Sequence, residues 1–199
     1  MYTIGITGGS GAGKTTALRA LRSLGAVTLD CDEIYHDLLI YNTDLKLELE
    51  ARFPGVLKDG KIDRKALGKI VFNDPSALLD LNAITHKYVN DEVGKKLAAC
   101  EKEGTAIVAI DAIALIESGL AGKCDITVGV NAPAELRINR IMARDGISRK
   151  QAEARINAQK PDSFFIENCD YILEDVYDTP EEFEKACTEF FKEFISNTA

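Results

Sequence analysis

Short, β-branched, apolar runs alternate with segments of helical spacing along this chain, and that alternation predicts an α/β architecture. Residues 2–7, Tyr-Thr-Ile-Gly-Ile-Thr, have the length and apolar character of a buried strand. Residues 16–24 carry Leu18, Leu21 and Leu24 at steps of three, one face of a helix, which Gly25 stops. Residues 25–30 read as a second strand that ends in Asp30-Cys31-Asp32. From 33 to 103 the pattern is helical and no convincing strand is expected. Leu45, Leu47 and Leu49 alternate, but the Lys and Glu around them favour helix. Pro54-Gly55 and Asp59-Gly60 mark turns there. Residues 63–72 form an amphipathic helix stopped near Asn73-Asp74-Pro75, and Leu78, Leu81, Ile84 and Val89 carry a longer helix over 76–103.

Residues 105–111 and 124–130 are the third and fourth strands. Pro133 opens the next helix, Gly146 turns the chain, and Ser148 caps a second helix that runs to Gln159. Residues 170–174 are a short fifth strand. Residues 180–194 form an acidic amphipathic helix whose Phe183, Phe190 and Phe194 face the core. The stretch between the second and third strands exceeds an ordinary crossover, so 33–104 is expected to be a helical insertion that builds an acceptor pocket. The remaining core comprises 1–32, 105–135 and 160–199, and 136–159 forms a small helical lid.

The junction of the first strand and first helix holds Gly8-Gly9-Ser10-Gly11-Ala12-Gly13-Lys14-Thr15. It fits the pattern of Gly, four residues, Gly, Lys, then Ser or Thr, and its strand and helix are on the correct sides. Glycines let backbone N–H groups turn inward around phosphate oxygens, and the helix N-terminus adds partial positive charge. Gly9, Ser10, Gly11, Ala12, Gly13, Lys14, Thr15 and Thr16 are therefore expected to hold the phosphates of ATP. Lys14 reaches the β- and γ-phosphates, and the Thr15 hydroxyl ligates Mg²⁺. The fold expected is of the P-loop NTPase type, with a five-stranded parallel sheet and helices on both faces. Ligands in such sheets sit beyond the C-terminal strand ends. Asp32 is then placed to accept or orient the proton of an attacking hydroxyl, although Asp30 or Asp32 at a strand end also caps helices. Asp111, at the end of the third strand, is a candidate for Mg²⁺ or its waters.

Charge sharpens the picture. The chain has a formal net charge of −8 and a pI near 4.9, against a general nucleic-acid or membrane-surface binder. Residues 134–160 nevertheless hold seven Lys or Arg against three Asp or Glu, a balance of +4. Residues 162–193 hold two against eleven, a balance of −9. Arg137, Arg140 and Arg144 recur at steps of three and four in the basic segment, and on a lid they would clamp a triphosphate. No apolar run spans a bilayer. The first strand starts at once, so no signal peptide is expected. The five cysteines have no metal-ligand spacing. A cytoplasmic protein with reduced thiols is expected, acting as a monomer.

The chain resembles the dephospho-CoA kinases over nearly its whole length. The resemblance rests on Ile6 to Thr15, on Leu29-Asp30-Cys31-Asp32, and on the block from Ile62 to Phe72 followed by Leu81-Asn82-Ala83-Ile84-Thr85-His86. Arg140, Arg144 and Ile156-Asn157-Ala158-Gln159 are similar to the family's lid. The resemblance implies transfer of the γ-phosphoryl of ATP to the ribose 3′-hydroxyl of dephospho-CoA, giving coenzyme A. It implies that Asp32 acts as base or orienting group, that Arg140 is the lid arginine nearest the phosphates, and that Arg64 and His86 lie in the acceptor pocket. Four positions depart from the family pattern: Lys87 and Ile113 stand where Pro is usual, Arg137 where Gln is common, and Asp175 where Asn is usual.

Two other readings stand beside it. One is a different small-molecule P-loop kinase, of shikimate or gluconate type, against which the Asp63–Phe72 block speaks. The other is a non-catalytic nucleotide switch, which would need neither Asp32 nor lid arginines.

Overall fold

The computed structural model describes residues 1–196, so the last three positions of the expected 160–199 core segment lie outside the described residues. In chain order the elements are β1 (Tyr2–Thr7), α1 (Lys14–Ser23), β2 (Val27–Asp30), α2 (Cys31–Tyr41), α3 (Thr43–Arg52), β3 (Leu57–Lys58), β4 (Lys61–Ile62) and α4 (Arg64–Val71). There follow α5 (Pro75–Lys102), β5 (Ile107–Asp111), a 3₁₀ turn at Leu120–Lys123, β6 (Ile126–Asn131), α6 (Ala134–Asp145), α7 (Arg149–Asn157), α8 (Asp162–Asn168), β7 (Tyr171–Glu174) and α9 (Pro180–Ser196). The chain divides into two compact units, one made of Met1–Leu29 and Cys100–Ala199, the other of Asp30–Ala99.

The first unit is built on a five-stranded parallel sheet in the order β2-β5-β1-β6-β7. β1 lies between β5 and β6, with Ile4 opposite Ala109 on one side and Ile126 on the other. Its burial explains the continuous apolar run in the sequence, because parallel strands are covered on both faces. Successive side chains point to opposite faces. Ile4, Ile6, Val128 and Val130 pack with Leu18 and Leu21 of α1 and with Phe183, Cys187 and Phe191 of α9. The other face of β6 is covered by α8: a Cβ on Gly129 would come within 3.4 Å of Phe165. Phe190 and Phe194 lie partly buried against the α1 side, as expected for that helix.

The second unit is helical except for a hairpin that the helical pattern of 33–103 concealed. β3 and β4 pair antiparallel, Leu57 opposite Ile62, around the two-residue turn Asp59-Gly60. Both turn residues have positive φ, 49° and 73°. That is the backbone of a type I′ turn, for which Asp-Gly is a preferred dipeptide. The turn was legible and the strands were not, because two residues each are too short to show alternation. The seven-residue α8 escaped for the same reason.

All five cysteines are free thiols. Burial pushes Cys124 and Cys187 up to about 12 and Cys169 up to about 11. These groups stay protonated in the folded chain while an unfolded thiol ionises near 8.5. The folded state then holds protons that the unfolded state has lost, so stability is full below that value and falls as pH rises from about 9 towards 12. The expected result is slow iodoacetamide labelling of these three at pH 8, and a lower urea midpoint at pH 10 than at pH 8. Fast native labelling at pH 8 would contradict it, because thiolate is the reactive form.

Candidate active site

The loop between β1 and α1 is shaped by what its glycines allow. Gly13 ends it at φ 107° and is the N-cap of α1. A Cβ there would be strained and would stand 2.7 Å from Asp175 Oδ2. A Cβ on Gly9 would lie 2.1 Å from Arg137 Nη2. Because α1 begins at Lys14, two residues earlier than the leucine spacing suggests, Lys14, Thr15 and Thr16 all lie in its first turn. No acidic residue occupies that turn, so the positive end of the helix dipole is not neutralised from within the helix. Lys14 Nζ donates to the carbonyls of Gly8 at 2.8 Å and Gly9 at 3.4 Å. Thr15 is exposed and Thr16 half-buried.

The three arginines of α6 do not share a fate. Arg137 is buried, 3% exposed, and pairs with Asp162 at 2.7 Å. It is not on a solvated face, and its guanidinium turns under the loop instead. Arg140 Nη1 donates to Gly11 O at 3.2 Å and to Asp175 Oδ2 at 2.7 Å. Asp175 is 1% exposed, and its Oδ1 has no hydrogen-bond partner among the described residues. Arg144 is exposed and bound to Asp145 at 2.8 Å, so it does not meet the loop through that pair. Arg144 and Arg155 beside it hold the Asp145 carboxyl below the usual carboxylate range. Ser148 and Gln151 form a capping box at the start of α7, and Arg149 pairs with Glu135 at the start of α6.

Asp111 ends β5, half-buried, in register with Ile6 of β1, and the next amide, Ala112 N–H, donates to Ile6 O at 3.1 Å. It therefore sits on the strand beside the one that feeds the loop. The donor set suits Mg²⁺. The Thr15 hydroxyl and the Asp111 carboxylate are hard oxygen ligands, and Mg²⁺ keeps waters and phosphate oxygens for its remaining positions. No group of three or more His, Cys, Asp or Glu side chains suited to a metal occurs among the described residues.

In the second unit the two acidic residues stand in different settings. Asp30 is the N-cap of α2, and its Oδ1 accepts from Asp32 N at 2.9 Å and Glu33 N at 3.1 Å. The strand does not run on through Asp30-Cys31-Asp32 as the sequence pattern suggests, because the helix starts at Cys31. Asp32 is exposed in the first turn and shares a face with Tyr35 and His36, three and four residues on. Arg64 Nη1 lies 3.4 Å from His36 Nδ1. Burial pushes the Tyr35 hydroxyl up, and the Arg64 guanidinium pulls it back. His86 is half-buried within α5. The sequence reading missed Tyr35 and His36, although helical spacing from Asp32 points to both. It also missed Gln159 as a loop partner, with Ser10 N–H donating to its Oε1 at 2.9 Å.

The family model described as dephospho-CoA kinase matches residues 2–181. The dephospho-CoA kinase of Geobacter sulfurreducens is 38% identical over 193 residues, covering 96% of this chain and 98% of the relative. This chain belongs to the dephospho-CoA kinase family. The solved dephospho-CoA kinase from Campylobacter jejuni is similar at a TM-score of 0.70 and 29% identity, covering 99% of this chain and 98% of its own. A shikimate kinase from Bacteroides thetaiotaomicron, at 16% identity and a TM-score of 0.55 over 98% of both chains, shares the fold alone. Dephospho-CoA kinase membership thus separates the chain from its shikimate-type rival, which the P-loop by itself does not.

Proposed function

We propose that this chain does what its family name states, phosphorylating the ribose 3′-hydroxyl of dephospho-CoA with ATP to give coenzyme A and ADP. The observation that carries this reading is the family match across 2–181, which takes in both the phosphate loop and the Asp32, Arg64 and His86 region. The loop residues Gly9 to Thr16 cradle the triphosphate, with Lys14 on its β- and γ-oxygens. Asp32 accepts the proton of the 3′-hydroxyl, or holds that hydroxyl in line, and Arg64 and His86 bind the acceptor. The segment 33–104 supplies the acceptor pocket, and 136–159 acts as the lid that excludes water. Thr15 and Asp111 hold Mg²⁺, which when bound neutralises charge on the phosphoryl oxygens. Transfer is direct, without a covalent enzyme intermediate, so positioning and electrostatics carry the rate. Five free thiols suit the reducing cytoplasm.

Arg140 contacts the loop at Gly11 O and can turn to the phosphates from there, while Arg144 adds positive potential. Arg140→Ala is expected to lower kcat by roughly 10²–10³-fold and to leave the KM for dephospho-CoA within about twofold. It also leaves the buried Asp175 without its cation, so a lower melting temperature accompanies it. An unchanged kcat removes Arg140 from the transferring site.

The function itself is tested by ADP release from Mg²⁺-ATP with dephospho-CoA, shikimate, gluconate and no acceptor in parallel. Release with dephospho-CoA alone, with coenzyme A as product, is expected. Release with another acceptor and none with dephospho-CoA overturns the assignment.

A further inference from the structure

Arg137 makes a set of contacts that a structural ion pair does not need. From the first turn of α6 its Nε donates to Ser10 O at 3.1 Å, its Nη1 to Asp162 Oδ1 at 2.7 Å and its Nη2 to Gln159 Oε1 at 3.4 Å. Gln159 in turn accepts from Ser10 N at 2.9 Å and donates Nε2 to Ser10 Oγ at 2.9 Å. Ser10, at the apex of the loop, is therefore gripped at its amide, its carbonyl and its hydroxyl. The neighbours accommodate the grip. Gly9 leaves room for Nη2, and a Cβ on Gly11 would lie 2.8 Å from Arg137 O. As a stability device the arrangement is poor, because the arginine is 3% exposed while its carboxylate partner is 42% exposed. The ion pair with a partly screened partner offsets little of the cost of burying the guanidinium, which leans on the Ser10 and Gln159 acceptors instead.

Its geometric effect is specific. The peptide between Ser10 and Gly11 is planar and trans, so its C=O and N–H point in opposite directions. Holding Ser10 O against Arg137 turns the Gly11 N–H to the opposite side. We propose that Arg137 is a positioning residue of the nucleotide site, fixing the Ser10–Gly11 peptide plane so that the loop amide is oriented before ATP arrives. This rests on the loop being the phosphate cradle of the proposed kinase. Preorganised donors bind anions without a reorganisation cost at the moment of binding. The fork matters as well as the charge, because lysine has no Nε and no planar set of donors.

The test uses the full chain with Arg137→Gln and Arg137→Lys. Calorimetric affinity for Mg²⁺-ATP, KM for both substrates, kcat and melting temperature are measured. Loss of one charge-assisted hydrogen bond predicts an ATP affinity lower by roughly tenfold in both variants, with the KM for dephospho-CoA within about twofold. Wild-type ATP affinity in the Lys variant would show that charge alone suffices and would overturn the proposal. So would a lower melting temperature with unchanged ATP affinity, or equal rises in both KM values. If neither variant folds, Asp162→Ala decides, since it removes the acceptor of Nη1 at a half-exposed position without opening a buried cavity. A several-fold loss of ATP affinity is expected there, and no loss overturns the proposal. A wild-type protein that binds ATP but leaves dephospho-CoA untouched sinks the functional reading, while the affinity ratio still judges Arg137.

Discussion

Lys14→Ala is expected to lower kcat by roughly 10²–10³-fold, with far-ultraviolet dichroism and melting temperature close to those of the native protein. The side chain is half-buried in the first turn of α1, and its ammonium meets the carbonyls of Gly8 and Gly9. Those carbonyls belong to the loop, so the lysine already lies at the proposed phosphate cradle rather than having to enter from solvent. In the transition state the charge spreads over the γ-phosphoryl oxygens, and a fixed cation there acts with little reorganisation. Alanine is the better helix former at that position, which protects the fold from the change. ATP affinity falls too, but less than kcat, if Lys14 acts most on the transferring group. The measurement is steady-state ADP release beside calorimetric ATP binding. Near-native turnover in this variant would remove the loop from catalysis altogether.

Asp32→Asn is the second large effect, a loss of kcat of roughly 10²–10⁴-fold with ATP affinity unchanged within about twofold. Asparagine preserves size and polarity but neither takes a proton nor offers a negative acceptor to the hydroxyl. The structure supplies an internal control one residue before the helix. Asp30 accepts the amides of Asp32 and Glu33, and asparagine caps a helix about as well as aspartate. Asp30→Asn is therefore expected to leave kcat within about threefold, and Asp30→Ala to cost about 1 kcal/mol of stability. If both Asn variants lose turnover equally, the acidic pair acts as a unit and the separate role given to Asp32 fails. A non-catalytic switch would show no response to Asp32→Asn in any nucleotide-binding assay and no turnover to lose.

Much of this fold is readable from short stretches. β1, the glycine loop and α1 follow from adjacent residues, since strand burial, positive φ and helix capping are each set within a few positions of the chain. The same is true of the Ser148 cap and of the parallel strands with their continuous apolar runs. The hairpin at 57–62 was half legible, as an Asp-Gly turn whose strands are too short to carry a period. Arg137, Arg140 and Arg144 show where local reading fails. Helical spacing correctly puts them on one helix, yet it cannot say which acceptors each guanidinium finds. Arg137 bonds to Ser10, 127 positions away, and Arg140 to Asp175, 35 positions away.

The sequence by itself determined the strand–loop–helix unit and the lysine and hydroxyl at its end, because their geometry is governed by neighbouring φ angles and local hydrogen bonds, while it left open whether Asp30 or Asp32 caps α2. Only the tertiary structure decided that Arg137 is drawn beneath the loop, that Asp175 is buried against Gly13, and that Gln159 holds the apex at Ser10. A long polar side chain takes whichever acceptor the packed chain brings within 3 Å or so. That choice is made by segments far apart in sequence, after the sheet has brought them together.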